Sequence, residues 1–304
     1  MEEPARQKRN TPTVIVWGVT TLAIIIWGAP PIANKIAIAG IDPATIGILR
    51  PILAGPVALL LALSLRLPFP TGGRDRFLLF VAGVTNFAIW PTLLSVGIGM
   101  TSAAHAGLII AQIPVFTGLF TALLDRRWPH TYWWIGTTVA VIGTFFLIVY
   151  RDGSAPDEAS VIGDLIILAG VQSCAIGYIV GGKLVPVIGT RATTFWGIAI
   201  AAVVLVPVVF AVLDRTNWSA VESSSWLGLI YLAFLGSFGA YLAWFWALSH
   251  GGITRISTSQ LAQPVVTLVL AAMILGEIIT LPLIIIAGVI VLGAACAQRP
   301  PKAR

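Results

Sequence analysis

The sequence predicts an all-α, polytopic membrane protein: ten transmembrane helices in two five-helix repeats of opposite orientation. Three observations lead there. The 304 residues are 58% hydrophobic and only 10% charged, with a mean hydropathy of +0.95. A soluble domain carries about 25% charged residues to cover its water-facing surface. The apolar residues fall into runs of roughly 20, the length that crosses a bilayer. Finally, a stretch of the first half returns, 150 residues later, in the second.

The runs cover 14–33, 44–65, 77–96, 102–124, 131–150, 161–181, 192–213, 225–248, 256–275 and 281–297. The first follows the basic start MEEPARQKRNTP and is too long for the apolar core of a signal peptide, so it reads as a retained span. The connections are short, and none holds a soluble domain. Lysine and arginine set the orientation. With the N-terminus inside, the inner segments carry Arg6, Lys8, Arg9, Arg66, Arg74, Arg76, Arg126, Arg127, Lys183, Arg191, Arg255, Arg299, Lys302 and Arg304, against Lys35, Arg151 and Arg215 outside. Both termini are therefore expected in the cytoplasm, and the chain in the inner membrane. The net charge of +6 is spread over these loops, which excludes a phosphate-binding face and hence a nucleic-acid partner. Cys174 and Cys296 lie within apolar runs and read as free thiols.

GLIIAQIPVFTGLFTALL (107–124) aligns with STSQLAQPVVTLVLAAMI (257–274). Pro114 meets Pro264, Val115 meets Val265, Thr117 meets Thr267 and Ala122 meets Ala272; Gly143 and Gly293 keep the same spacing. The repeats are expected at 1–153 and 154–304. Five spans per half is an odd number, so the second half enters the membrane inverted. In transporters built this way the binding site lies near the midplane between the repeats.

GDLIILAG (163–170) opens the second half, and LGEIITLPLIIIAGVIVLGA (275–294) closes it, with Glu277 followed by Gly288 and Gly293. With the span pattern, these segments resemble the EamA branch of the drug/metabolite transporter superfamily, over nearly the whole chain. The first half departs from the pattern in having Arg127 where the second has Glu277. The aromatic content and size look most similar to the YddG-type exporters of aromatic amino acids. The resemblance implies export of a small solute. It leaves Glu277 and the glycines an architectural role, at a helix junction and at close helix contacts.

Polar residues deep in spans are expensive and mark solute paths. Asn86, Gln112, Gln172 and Gln263 share the middle depth of four different spans. They are the expected substrate-binding amides, able to donate and accept without a fixed charge. Hydrogen bonding to a neighbouring helix is the alternative for each. Pro114 and Pro264 are expected hinges. Trp27, Trp90 and Trp244 are candidates to stack on a flat solute, with Tyr178 beside Gln172; packing against lipid is the alternative. His105 is a candidate gate near the outer end of span 4, or simply a packed residue. Arg50, about 9 Å below the outer end of span 2 by helical rise, can snorkel outward or neutralise a passing carboxylate. Asp164 is expected to cap span 6.

No Asp or Glu lies deep in any span, so strong proton antiport lacks its usual carrier. The expectation is a monomeric facilitator that exports aromatic and amphipathic amino acids by alternating access, with no metal or cofactor. A proton-coupled efflux carrier for drugs or other metabolites is the alternative. A channel or an intramembrane enzyme is the alternative of another class, the latter disfavoured because His105, His130 and His250 are scattered.

The orientation makes a direct prediction. The segment RDGSAPDEAS (151–160) faces outward, so Ser154→Cys reacts with an impermeant thiol reagent on intact cells. Labelling only after lysis reverses the topology.

Overall fold

The computed structural model describes residues 12–126, 129–149, 160–251, 256 and 258–297. Arg127, Ser154 and Arg255, on which the sequence raised expectations, lie outside them. Among the described residues every regular element is helical. Eight helices are long and apolar enough to cross a membrane: α1 (Thr13–Ile38), α2 (Pro43–Ser64), α3 (Gly73–Ile98), α4 (Ala103–Asp125), α5 (Thr131–Val149), α6 (Val161–Ile188), α7 (Thr190–Val209) and α8 (Ser223–Leu248). Two shorter apolar helices follow, α9 (Ser259–Leu275) and α10 (Leu281–Ala297).

The helix starts follow from local chemistry. Asp42 Oδ1 accepts from Thr45 N at 3.0 Å, and Pro43 opens α2, where a missing N–H costs nothing. Ser102 Oγ accepts from His105 N, and Ser160 Oγ from Gly163 N, both at 3.1 Å. The α4 N-terminus has a second cap from far along the chain. The Glu277 carboxylate accepts from Ala103 N at 2.7 Å and Ala104 N at 2.9 Å. A carboxylate there meets both orphan amides and the positive end of the helix dipole. Between α6 and α7 the chain turns on one residue, Gly189, at φ 80°, which a side chain would strain.

These contacts sort the loops. Glu277 joins the α9–α10 loop to the α3–α4 loop, and Ser160 N donates to Met100 O, bringing in the α5–α6 loop. Asp42 N donates to Thr216 Oγ1, linking the α1–α2 and α7–α8 loops at the same end. This is the Glu277 end of the bundle, and α4 finishes at the other, the Asp125 end.

Helices approach closely at small residues, as apolar surroundings require when no hydrophobic force draws them together. α5 and α10 meet at Gly136 and Gly293: a Cβ on Gly293 would lie 2.6 Å from Ala140 N and 2.8 Å from Gly136 O. α3 and α7 meet at Gly83 and Gly197, where a Cβ on Gly83 would lie 2.8 Å from Gly197 O. Gly288 differs from the sequence expectation of a close helix contact. A Cβ there meets nothing within 4 Å.

The contrast is testable. Gly293→Ala forces backbone against backbone and is expected to lower thermal stability in detergent by about 1–3 kcal/mol. Gly288→Ala, in open space with better helix propensity, leaves it unchanged or slightly raised. Equal loss in both would show that the α5–α10 crossing does not govern stability.

Candidate functional site

Five helices abandon regular α geometry along their length. α1 runs Thr13–Gly28, turns at Ala29 and resumes as Pro30–Ile38 with prolines in its first turn. α4 runs Ala103–Ile110, turns at Ala111 and Gln112, and resumes as Ile113–Asp125 with Pro114 in its first turn. α9 opens as a tight turn, Thr258–Ala262, then widens to Gln263–Leu270 with Pro264 in its first turn. α3 and α8 each pass through π-helical turns, Val84–Ile89 and Tyr231–Gly239. Prolines and π turns displace backbone and side chains from the regular ladder, and π turns gather at functional sites.

These interruptions surround a cavity of about 540 Å³. That volume is in the range of small-molecule sites. Its walls come from α1, α2, α3, α4, α6, α7, α8 and α9, while α5 and α10 contribute none of its lining. Aromatic faces come from Trp27, Phe87, Trp90 and Tyr178. Polar groups come from Asn86, Thr117, Ser237, Gln260 and Gln263, and a cation from Arg50. Among the described residues no Asp or Glu is on the lining.

Six pairs of lining positions are 150 residues apart: Asn86 and Gly236, Phe87 and Ser237, Ile110 and Gln260, Ala111 and Leu261, Ile113 and Gln263, Pro114 and Pro264. This spacing explains where the expected amides went. Gln263 pairs with Ile113, and both line the cavity. Gln112 pairs with Ala262, and neither does. One residue is a turn of about 100° about a helix axis, enough to move a side chain from cavity to interior. Gln112 is 1% exposed; its Nε2 donates to Ala140 O at 3.3 Å, and its Oε1 has no partner among the described residues.

The other expectations divide in the same way. Asn86, Trp90, Tyr178, Gln263 and both prolines are on the lining. Asn86 Oδ1 accepts from Cys174 Sγ at 3.3 Å, and Gln263 Nε2 donates to Trp27 O at 2.9 Å. Gln172 is half-buried on α6, outside the lining. Trp244 is buried one layer back, with its ring centroid 5.4 Å from that of Trp27, so it braces the tryptophan that does line the cavity. His105 is off the lining too: its Nδ1 lies 3.0 Å from Asp164 Oδ2. Asp164 is fully buried and accepts from Thr101 Oγ1 at 2.6 Å, so it ties α6 to α4, while Ser160 does the capping expected of it.

Sequence reasoning missed Gln260, whose only signal was its place 150 residues after Ile110, itself on the lining. It also favoured outward snorkelling for Arg50. Instead Arg50 Nε donates to Ser237 Oγ at 3.3 Å, and Nη2 would lie 3.8 Å from a Cβ on Gly236. That is ordinary van der Waals contact, so the guanidinium packs beside Gly236.

The cavity has one packed end. Towards the Glu277 end Ser95 Oγ donates to Asn34 Oδ1 at 2.6 Å between fully buried side chains, and Leu94, Leu108 and Ile109 fill the space beside them. Towards the Asp125 end Gln260 and Tyr178 are exposed. There Thr117 and Gly118 are shared with a second hollow of about 270 Å³, which Thr121, Asp125 and Trp133 help to line.

An apolar helical bundle around a solute-sized cavity is an architecture that membrane transporters share. The chain belongs to the EamA-like transporter family, whose sequence profile matches residues 14–149 and 161–298. It is similar to YdeK of Bacillus subtilis (strain 168), described as an uncharacterized transporter, at 26% identity over 92% of this chain and 96% of that one. It is also similar to the uncharacterized transporter sll0355 of Synechocystis, at 25% identity over 88% of this chain and 85% of that one. A protein crystal structure with 18% sequence identity shares the fold, with a TM-score of 0.60 over 94% of this chain and 96% of that one.

The amide placement yields a prediction. Gln112→Leu removes a long hydrogen bond together with a buried acceptor left unmet, which costs about 1–3 kcal/mol. Thermal stability is expected to hold or rise, with transport retained. Gln263→Leu is expected to lower transport. Loss of transport in Gln112→Leu, with folded protein in the membrane, would return Gln112 to the solute path.

Proposed function

We propose that this protein exports aromatic and other amphipathic amino acids across the cell inner membrane by alternating access of two inverted five-helix repeats, as a monomeric facilitator. The observation that carries the reading is the cavity itself. Its Trp27, Phe87 and Trp90 faces suit a flat apolar group, while Asn86, Gln260, Gln263 and Arg50 suit the polar end of an amino acid. The aromatic-exporter resemblance agrees with this lining.

The inverted repeat has three supports beyond span counting. The family profile matches each half separately. The two longer π turns fall on α3 and α8, helices that the repeat makes equivalent; a shorter one, Ala271–Leu275, ends α9. The helix contacts also keep their pattern when the halves are exchanged: α2 packs on α7 and α5 on α10, while α3 against α6 is mirrored by α8 against α1. Ten spans follow if α9 and α10 also cross; at 17 residues each they reach about 25 Å, enough for a hydrocarbon core that thins slightly to meet them.

On this reading the Glu277 end faces outward and both termini face the cytoplasm, so the cavity is open to the inside. An exporter at rest in this state takes its solute from the cytoplasm. The paired breaks at Pro114 and Pro264 let the halves of α4 and α9 move separately when the open end closes. The absence of a carboxylate on the lining favours facilitated movement over proton antiport.

Counterflow of labelled phenylalanine in proteoliposomes tests the proposal. Exchange stimulation by unlabelled phenylalanine is expected, without dependence on an imposed pH gradient. Trp90→Ala is expected to raise the half-saturation concentration about threefold to tenfold through loss of ring stacking. Failure to carry phenylalanine, with good transport of a quaternary ammonium, moves the assignment to cationic-drug efflux.

A further inference from the structure

We infer that the corner of the Asp125 end formed by α2, α3, α6 and α7 is a binding surface for an anionic phospholipid, whose headgroup bridges the first and second halves of the chain. The inference needs only a bundle that sits in a bilayer. The orientation proposed above adds that the leaflet is the cytoplasmic one.

The bundle is charged unevenly along its axis. Among the described residues Asp42, Asp164, Asp214, Glu222 and Glu277 stand at the Glu277 end with Lys35 and Arg215. The Asp125 end carries Arg66, Arg74, Arg76, Arg126, Lys183 and Arg191 against Asp75 and Asp125. All of these cations but Arg126 surround one packed cluster. Leu79 of α3, Leu184 and Ile188 of α6 and Ala192 of α7 are buried together, with Leu67 and Leu78 against them. Arg66 precedes Leu67, Lys183 precedes Leu184 and Arg191 precedes Ala192, while Arg74 and Arg76 stand in the first turn of α3, just before Leu78. The turn at Gly189 brings the start of α7 back against α6, where a Cβ on Gly181 would lie 3.6 Å from Thr193 Cγ2.

The five side chains are exposed, and among the described residues none of them has a carboxylate within ion-pair distance. Arg76 is fixed in place: its Nε donates to Pro70 O at 3.0 Å, and its guanidinium carbon lies 5.9 Å from the centre of the Phe69 ring. Phe69 in turn meets Trp196 of α7 edge-on, with centroids 5.0 Å apart, so the first half is already tied to the second here. Cations crowded on one face repel one another, and a multivalent anion relieves that repulsion. Guanidinium forks suit phosphate oxygens in particular. The apolar surroundings decide which phosphate. Phe69, Phe77, Phe80 and Val187 are exposed on the same segments, where the helices leave the bilayer. A phospholipid places its phosphate among the cations and its acyl chains along these side chains, whereas a free phosphate uses only the first. Basic surfaces between membrane helices suit such headgroups.

The test adds dioleoyl phosphatidylglycerol, dioleoyl phosphatidylcholine or inorganic phosphate to purified full-length protein in detergent. Thermal unfolding reports binding, because a ligand of the folded state raises the midpoint. Phosphatidylglycerol is expected to raise it by about 2–4 °C above the value in phosphatidylcholine, and high salt to shrink the gain. Inorganic phosphate is expected to give none. Arg74→Gln combined with Arg191→Gln, one cation from each half, is expected to remove most of the gain while leaving the midpoint in phosphatidylcholine unchanged. Arg126→Gln, at the same end but beside the adjoining hollow, is expected to keep it. An equal gain from phosphatidylcholine or from inorganic phosphate overturns the inference. So does an undiminished gain in the double variant, or an equal loss in Arg126→Gln, which would make the effect one of general charge. If the double variant does not fold, Lys183→Gln is read by the same criterion.

Discussion

A helix in hydrocarbon must satisfy its backbone hydrogen bonds within itself, because the medium supplies no partners. A solute site needs the opposite: polar groups exposed inside the bundle. The chain meets both demands by interrupting α1, α3, α4, α8 and α9 beside the cavity. The break in α4 at Ala111 and Gln112 is followed by Pro114, which has no N–H to lose; the tight opening turn of α9 is followed by Pro264. In α3 and α8 the ladder widens to π turns instead of ending, so most backbone groups keep a partner. Asn86 and Gly236 lie within those turns, and both line the cavity. The site is thus a consequence of where the backbone could afford to be irregular.

The two ends of the bundle then solve different problems. At the Glu277 end the loops are short and the polar groups are paired across helices: Glu277 with the α4 N-terminus, Asp164 with Thr101 and His105, and Asn34 with Ser95. Each such link joins segments far apart in sequence, so that end is held by interactions that must break together. At the Asp125 end Tyr178 and Gln260 stay exposed. On the alternating-access proposal one seal must be exchanged for another, and polar links of this kind are ones that water could replace.

Much of this was legible in the sequence because hydropathy is a property of whole segments. The apolar runs, the helical class and the family resemblance survive an error of a residue or two. The site does not. Gln112 and Gln263 share a depth, but they differ by one residue against the 150-residue spacing, and that rotation separates a cavity wall from a packed interior. Trp244 was a sound candidate by depth and composition, yet it is the layer behind Trp27. Facing is set by tertiary rotation of each helix, and a single sequence records that only where a repeat supplies a second copy for comparison.

Arg50 shows how the medium decides between two readings of one residue. Near a helix end a long cationic side chain gains by reaching the headgroups, and that was the favoured expectation. The residue sits seven positions into α2, about 10 Å along the axis, within reach of either destination. Its neighbours favour the inward course: Ser237 offers an acceptor, and the cavity offers a path for water and solute. A cation there, in a lining of neutral amides and aromatic rings, gives the site a sign. Asymmetry of that kind need not follow the repeat. The two halves supply the matched scaffold of broken helices, and a single unmatched residue, with no counterpart on the α7 lining, supplies the charge.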